Sequence, residues 1–97
     1  MSADQPLPRS SKRLRILYVE DRPQDMELVL RELKKAGFQC EADRADTEET
    51  VLQCLNSKSY DVVLSDFGLP GWSGLEALKL VRAKREDLPF ILVTGSL

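Results

Sequence analysis

Glu20 and Asp21 stand side by side, Asp66 closes one apolar run and Thr94 closes another. Brought together, these residue types could handle a phosphoryl group. Carboxylates crowded into one place repel, so either some are protonated or a cation sits among them. Hard oxygen donors with room for water favour Mg²⁺ over a transition metal. A divalent cation beside an aspartate neutralises phosphoryl charge, and the aspartate can be the nucleophile that forms an acyl phosphate. Each residue alone has a plainer explanation. Glu20 and Asp21 could cap a following helix and favour its dipole. Asp66 could be a turn residue bonded to its own loop, and Thr94 a strand-end hydroxyl. The conjunction at three strand ends is what points to a site.

The intervening sequence must deliver these residues to one edge. "LRILYV" (14–19) reads as a buried strand. Residues 23–37 place Met26, Val29, Leu30 and Leu33 on one helical stripe, with Pro23 suited to the first turn and Gly37 to the C-terminal cap. "FQCEADRA" (38–45) alternates Phe38, Cys40 and Ala42, the pattern of a half-exposed edge strand. Asp46 and Glu49 suggest a capping box for a helix over 47–58, with Val51, Leu52 and Leu55 facing inward. "DVVLSD" (61–66) is a third strand. Ser73 and Glu76 suggest a second capping box, opening a helix over 74–84 with Leu75, Leu78 and Val81 on one side. "PFILVT" (89–94) is a fourth strand.

This order is β-α-β-α-β-α-β, which implies right-handed crossovers and an α/β fold with a doubly wound parallel sheet. In such a sheet the functional crevice lies beyond the carboxyl ends of the strands. Glu20, Asp21, Asp66 and Thr94 all fall there.

Composition narrows the field. The chain has 97 residues, enough for one small domain, and a net charge of −2 that gives no basic surface for nucleic acid. Arg9, Lys12, Arg13 and Arg15 read as a solvated lead-in. Residues 1–13 are polar with two prolines and are expected to form a flexible arm. There is no histidine, which excludes a histidine base or phosphodonor within this chain. No CxxC pair exists, so a zinc site is not expected, and Cys40 and Cys54 read as small buried hydrophobes. No secretory signal or membrane-length apolar run is seen, and a cytoplasmic protein with reduced thiols is expected. Gly68, Gly71 and Gly74 are not a P-loop and read as loop glycines with positive φ. Trp72 reads as packed over the start of the third helix rather than as a partner anchor.

"ILYVEDRPQD", "YDVVLSDFGLPGWSGLE" and "PFILVTG" together resemble the receiver domain of two-component response regulators, over residues 14–97. The resemblance implies a flavodoxin-like sheet, whose full strand order is 2-1-3-4-5. It implies Asp66 as phosphoacceptor, Asp21 as a direct Mg²⁺ ligand, Glu20 as a ligand through water and the Gly68 carbonyl as a further ligand. Thr94 would hold a phosphoryl oxygen and act as the switch. The phosphodonor would be a partner histidine kinase or histidine phosphotransfer protein. The module would be regulatory, at most catalysing its own phosphorylation and dephosphorylation.

Receivers continue with a fifth strand that carries a lysine, and with further helices. The resemblance therefore implies a partial receiver of order 2-1-3-4, part of a longer parent or completed by another chain, as in a homodimer formed by edge pairing or swapping. Phosphorylation of the segment alone is expected to be weak or absent without that lysine. Two other readings remain open at this level. One is a phosphorylation-independent receiver-like interaction module, which need not keep a metal site. The other is an aspartate-nucleophile phosphatase of the haloacid dehalogenase kind. That family usually has a second aspartate two residues after the nucleophile, where this chain has Gly68.

Overall fold

The structure, a computed structural model, describes residues 13–93. Thr94, Gly95 and Ser96 lie outside the described residues, as does the anticipated N-terminal arm apart from Arg13. The elements follow the alternation expected: β1 (Leu14–Val19), α1 (Pro23–Lys35), β2 (Cys40–Ala45), α2 (Glu48–Ser57), β3 (Val62–Asp66), a short ribbon of β4 (Gly68–Leu69) and β5 (Trp72–Ser73), α3 (Gly74–Lys84) and β6 (Phe90–Val93).

The four long strands are parallel in the order β2-β1-β3-β6. This is the 2-1-3-4 order read from the sequence, with β6 as the fourth long strand. β2 is the edge strand that its half-polar alternation predicts. Central strands of a parallel sheet are covered on both faces and so read as continuous apolar runs. β1 shows this: Ile16 and Tyr18 pack toward α1, with Leu64, Met26, Val29, Leu30 and Leu33. Leu17 and Val19 pack on the other face with Val51, Leu55, Val63, Ala77 and Val81 of α2, β3 and α3. Fully burying one such side chain is worth about 1.5–3 kcal/mol, so β1 is the main apolar anchor of both layers. Cys40 and Cys54 are free and half-buried rather than buried. Among the described residues, no helix is long and apolar enough to cross a membrane.

Three local expectations need correction. The capping box of α2 is not Asp46 with Glu49. Thr47 accepts from the Thr50 amide at 3.1 Å, and Thr50 Oγ1 accepts from the Thr47 amide at 3.0 Å. The hydroxyls sit one residue further along and close the box on each other. Second, Leu75 is exposed, and Gly74, Ala77 and Val81 form the buried side of α3. α3 packs so close to the sheet that small residues occupy the contact. Third, of the loop glycines only Gly71 has a positive φ, +81°, at the turn between β4 and β5. The Ser73–Glu76 capping box of α3 is present as predicted, with bonds of 2.9 and 3.2 Å.

Candidate phosphoryl-handling site

Parallel register brings the acids together. Val19 of β1 lies opposite Ser65 of β3, so the next residues, Glu20 and Asp66, emerge from neighbouring strands at the same level. Adjacent strands are spaced by about 4.8 Å, which sets the separation of what leaves their ends. Glu20, Asp21 and Asp66 each offer a carboxylate oxygen, all within 4.8 Å of one another. Val93 of β6 lies opposite Asp66, so this strand ends at the same edge.

The backbone around the cluster is held closely. The Glu20 amide donates to Ala45 O at 2.9 Å, continuing the β1–β2 pairing. The Glu20 carbonyl accepts from Arg44 Nη1 at 3.0 Å, and its Oε2 accepts from the Arg22 amide at 3.1 Å. The Asp66 carbonyl accepts from Ser65 Oγ at 2.9 Å, while Asp66 Oδ1 accepts from the Phe67 amide at 2.9 Å. Gly74 sits against this point. A Cβ there would lie 2.5 Å from Asp66 O and 2.6 Å from Leu92 Cδ2, so only glycine lets α3 start so close to the end of β3.

Glu20 is 2% exposed, whereas Asp21 and Asp66 are half-exposed. Burial pushes the Glu20 carboxyl up to about 7, opposed by the Arg22 amide and reinforced by the charges of Asp66 and Asp25. The buried Tyr18 phenol is likewise raised to about 12, first by burial and then by the charges of Glu20, Asp66 and Asp25. Asp25, in the first turn of α1, therefore adds to the negative field at the site. Sequence reasoning did not single it out. Its position after a helix-starting proline looks like dipole complementation, and only the fold shows its nearness to Glu20.

The donor set fits a hard divalent cation. All three side-chain donors are carboxylates, and their mutual repulsion at this spacing is what a bound cation relieves. Gly68 follows Asp66 by two residues, exposed on β4. Phe67, half-exposed, and Gly68 leave the approach to Asp66 open. Trp72 is half-buried against the core, as expected, and is held by an indole hydrogen bond to Asp46 O at 3.2 Å.

Comparison with known proteins gives a consistent picture. The sequence profile of the response regulator receiver domain matches residues 16–97. Chemotaxis protein CheY-3 of Vibrio cholerae is 33% identical over 87 residues, covering 88% of this chain and 66% of its own length. The chain thus spans slightly under two thirds of that relative. The response regulator TrrA of Thermotoga maritima, solved in complex with Mg²⁺-BeF, superposes with a TM-score of 0.70 at 40% identity, covering 84% of this chain and 70% of that one. The same regulator in complex with the histidine kinase ThkA superposes with a TM-score of 0.69 at 41% identity, covering 84% of this chain and 68% of that one.

Proposed function

The chain belongs to the response regulator receiver domain family of two-component signalling, and on that premise we propose that it is the phosphoacceptor module of a phosphorelay, with Asp66 receiving the phosphoryl group. The single observation that carries this reading is the convergence of Glu20, Asp21 and Asp66 within 4.8 Å at one sheet edge. The donor is a phosphohistidine on a partner kinase or phosphotransfer protein, in keeping with a structural relative solved with a histidine kinase and with the lack of histidine here. We place the module in the cytoplasm, with its partner.

An Asp66 carboxylate oxygen attacks phosphorus in line. The P–N bond to the donor imidazole breaks as the aspartyl O–P bond forms, and the imidazole departs with the electron pair and takes up a proton. The hydrogen bonds from the Ser65 hydroxyl and the Phe67 amide to Asp66 fix the attacking group before the donor arrives. A Mg²⁺ ion held by Asp21, Asp66 and the Gly68 carbonyl, with Glu20 acting through water, would supply neutralisation of phosphoryl charge. Thr94 is read as the hydroxyl that takes a phosphoryl oxygen and reports the change. The role is regulatory: the product stays on the protein.

The test is intact-mass analysis, after incubation with acetyl phosphate and Mg²⁺, of a chain extended through a lysine-bearing fifth strand. The reading expects one added phosphoryl group, lost in Asp66→Ala and in chelator. Retention of the added mass in Asp66→Ala would contradict it.

A further inference from the structure

We infer that Arg44, Asp46 and Trp72 form a positioning bridge that sets the two halves of the acidic cluster relative to each other; this rests on the phosphoacceptor reading of that cluster. The cluster comes from two separate chain segments. Glu20 and Asp21 follow β1, and Asp66 ends β3. The bridge joins them by a route other than the β1–β3 pairing.

On the first side, Arg44 Nη1 donates to the Glu20 carbonyl at 3.0 Å. That carbonyl belongs to the peptide group linking Glu20 to Asp21. With the Glu20 amide, on the preceding peptide, held by Ala45 O at 2.9 Å, the peptide groups on both sides of Glu20 are held by adjacent residues of β2. The same guanidinium nitrogen lies 3.8 Å from Asp46 Oδ2, which holds the arginine over the carbonyl. On the second side, the Asp46 carbonyl accepts from Trp72 Nε1 at 3.2 Å. Trp72 pairs with Leu69 in the β4–β5 ribbon that follows Asp66, and it packs against the main core. Asp46 thus meets one half of the site through its carboxylate and the other through its carbonyl.

The bridge also explains a residue left without a role. Asp46 reads as the cap of α2, yet Thr47 does that work. A charged side chain at this half-buried position is then accounted for by Arg44 rather than by the helix. Groups that orient metal ligands from behind govern affinity without touching the ion. Arg44 and Trp72 are positioning residues in this sense.

The test is an amide NMR titration of the protein with Mg²⁺, comparing the natural sequence with Arg44→Met, Arg44→Lys and Trp72→Phe. Arg44→Met is expected to weaken Mg²⁺ binding about 10-fold, at the low end for loss of an outer supporting group. Arg44→Lys, which keeps a donor, is expected to recover part of it, and Trp72→Phe to weaken binding from the other side. In the absence of metal, Arg44→Met is expected to move the amide signals of Phe67 and Gly68 as well as those of Glu20 and Asp21. Unmoved Phe67 and Gly68 signals overturn the bridge whatever the metal does. Moved signals with unchanged Mg²⁺ affinity overturn the positioning role. If the natural sequence shows no Mg²⁺ response, the phosphoacceptor reading fails, and the metal-free signals still decide whether the bridge couples the two halves. Should Arg44→Met not fold, Asp46→Asn breaks the same ion pair with little change in shape and is read by the same two criteria.

Discussion

Glu20 carries a carboxyl that burial and the charges of Asp66 and Asp25 raise from 4.5 to about 7. In the folded, metal-free protein it therefore binds a proton more tightly than in the unfolded chain. Its contribution to stability is fully present below pH 4.5 and is lost as pH rises through about 7. A shift of this size corresponds to on the order of 3 kcal/mol. Urea denaturation in chelator is expected to show stability falling between these pH values, and Glu20→Gln to flatten the fall. A profile unchanged by Glu20→Gln would contradict the electrostatic description. Asp43 behaves oppositely. The Tyr60 hydroxyl, at 2.7 Å, and the Lys58 ammonium hold its carboxyl below the ordinary 3.8. Its stabilisation is present above pH 3.8 and is lost as pH falls through its lower folded value. Tyr60→Phe is expected to cost about 1.5–3 kcal/mol at neutral pH, in the range for a hydrogen bond to a charged group. Glu20, Asp21 and Asp66 were legible in the sequence because acids that end apolar runs announce themselves. Asp25 and Arg44 were not, because their influence on Glu20 arises only when α1 and β2 are folded against β1.

Helix and strand types could be read almost throughout, and the differences lie in choices among near-equivalent patterns. Around the start of α2, Asp46 with Glu49 and Thr47 with Thr50 both satisfy capping chemistry, offset by one residue. The paired threonines close the box reciprocally, which an acid pair in this register does not do here. Thr47→Ala is therefore expected to destabilise by about 1 kcal/mol, the typical cost of a lost N-cap. Thermal unfolding of Thr47→Ala beside Asp46→Ala checks which residue caps the helix, and helix loss in Asp46→Ala alone would restore the sequence reading. In α3, apolar periodicity admits Leu75 as readily as Ala77 for the inner face. Close approach at Gly74 settles the matter, because position 74 has no room for a side chain against Asp66 and Leu92 and so sets which side of the helix faces the sheet. Gly74→Ala is expected to destabilise by more than the usual helical preference for alanine gives back, and to weaken Mg²⁺ binding by moving Asp66. Unchanged melting and metal affinity would refute the steric account. The β4–β5 ribbon has strands of two residues each, too short to leave a period in the sequence.

Across the whole molecule, the parallel sheet and the site are one construction. Strand order places β1 beside β3, and their register brings Glu20 level with Asp66. Both strands are held by apolar layers on each face, so the acids are mounted on the most constrained part of the fold. Leu17→Ala, in the larger of these layers, is expected to cost about 2–5 kcal/mol. The order of strands was legible because right-handed crossovers leave few arrangements for this alternation. The most direct measurement of the central claim locates the phosphoryl group. After reaction of a chain extended through a lysine-bearing fifth strand with acetyl phosphate and Mg²⁺, borohydride reduction converts an aspartyl phosphate to homoserine, and peptide sequencing by mass spectrometry shows where. The account predicts homoserine at position 66 alone, dependent on Mg²⁺. An unmodified Asp66, or reduction at Glu20 or Asp21 instead, would contradict it.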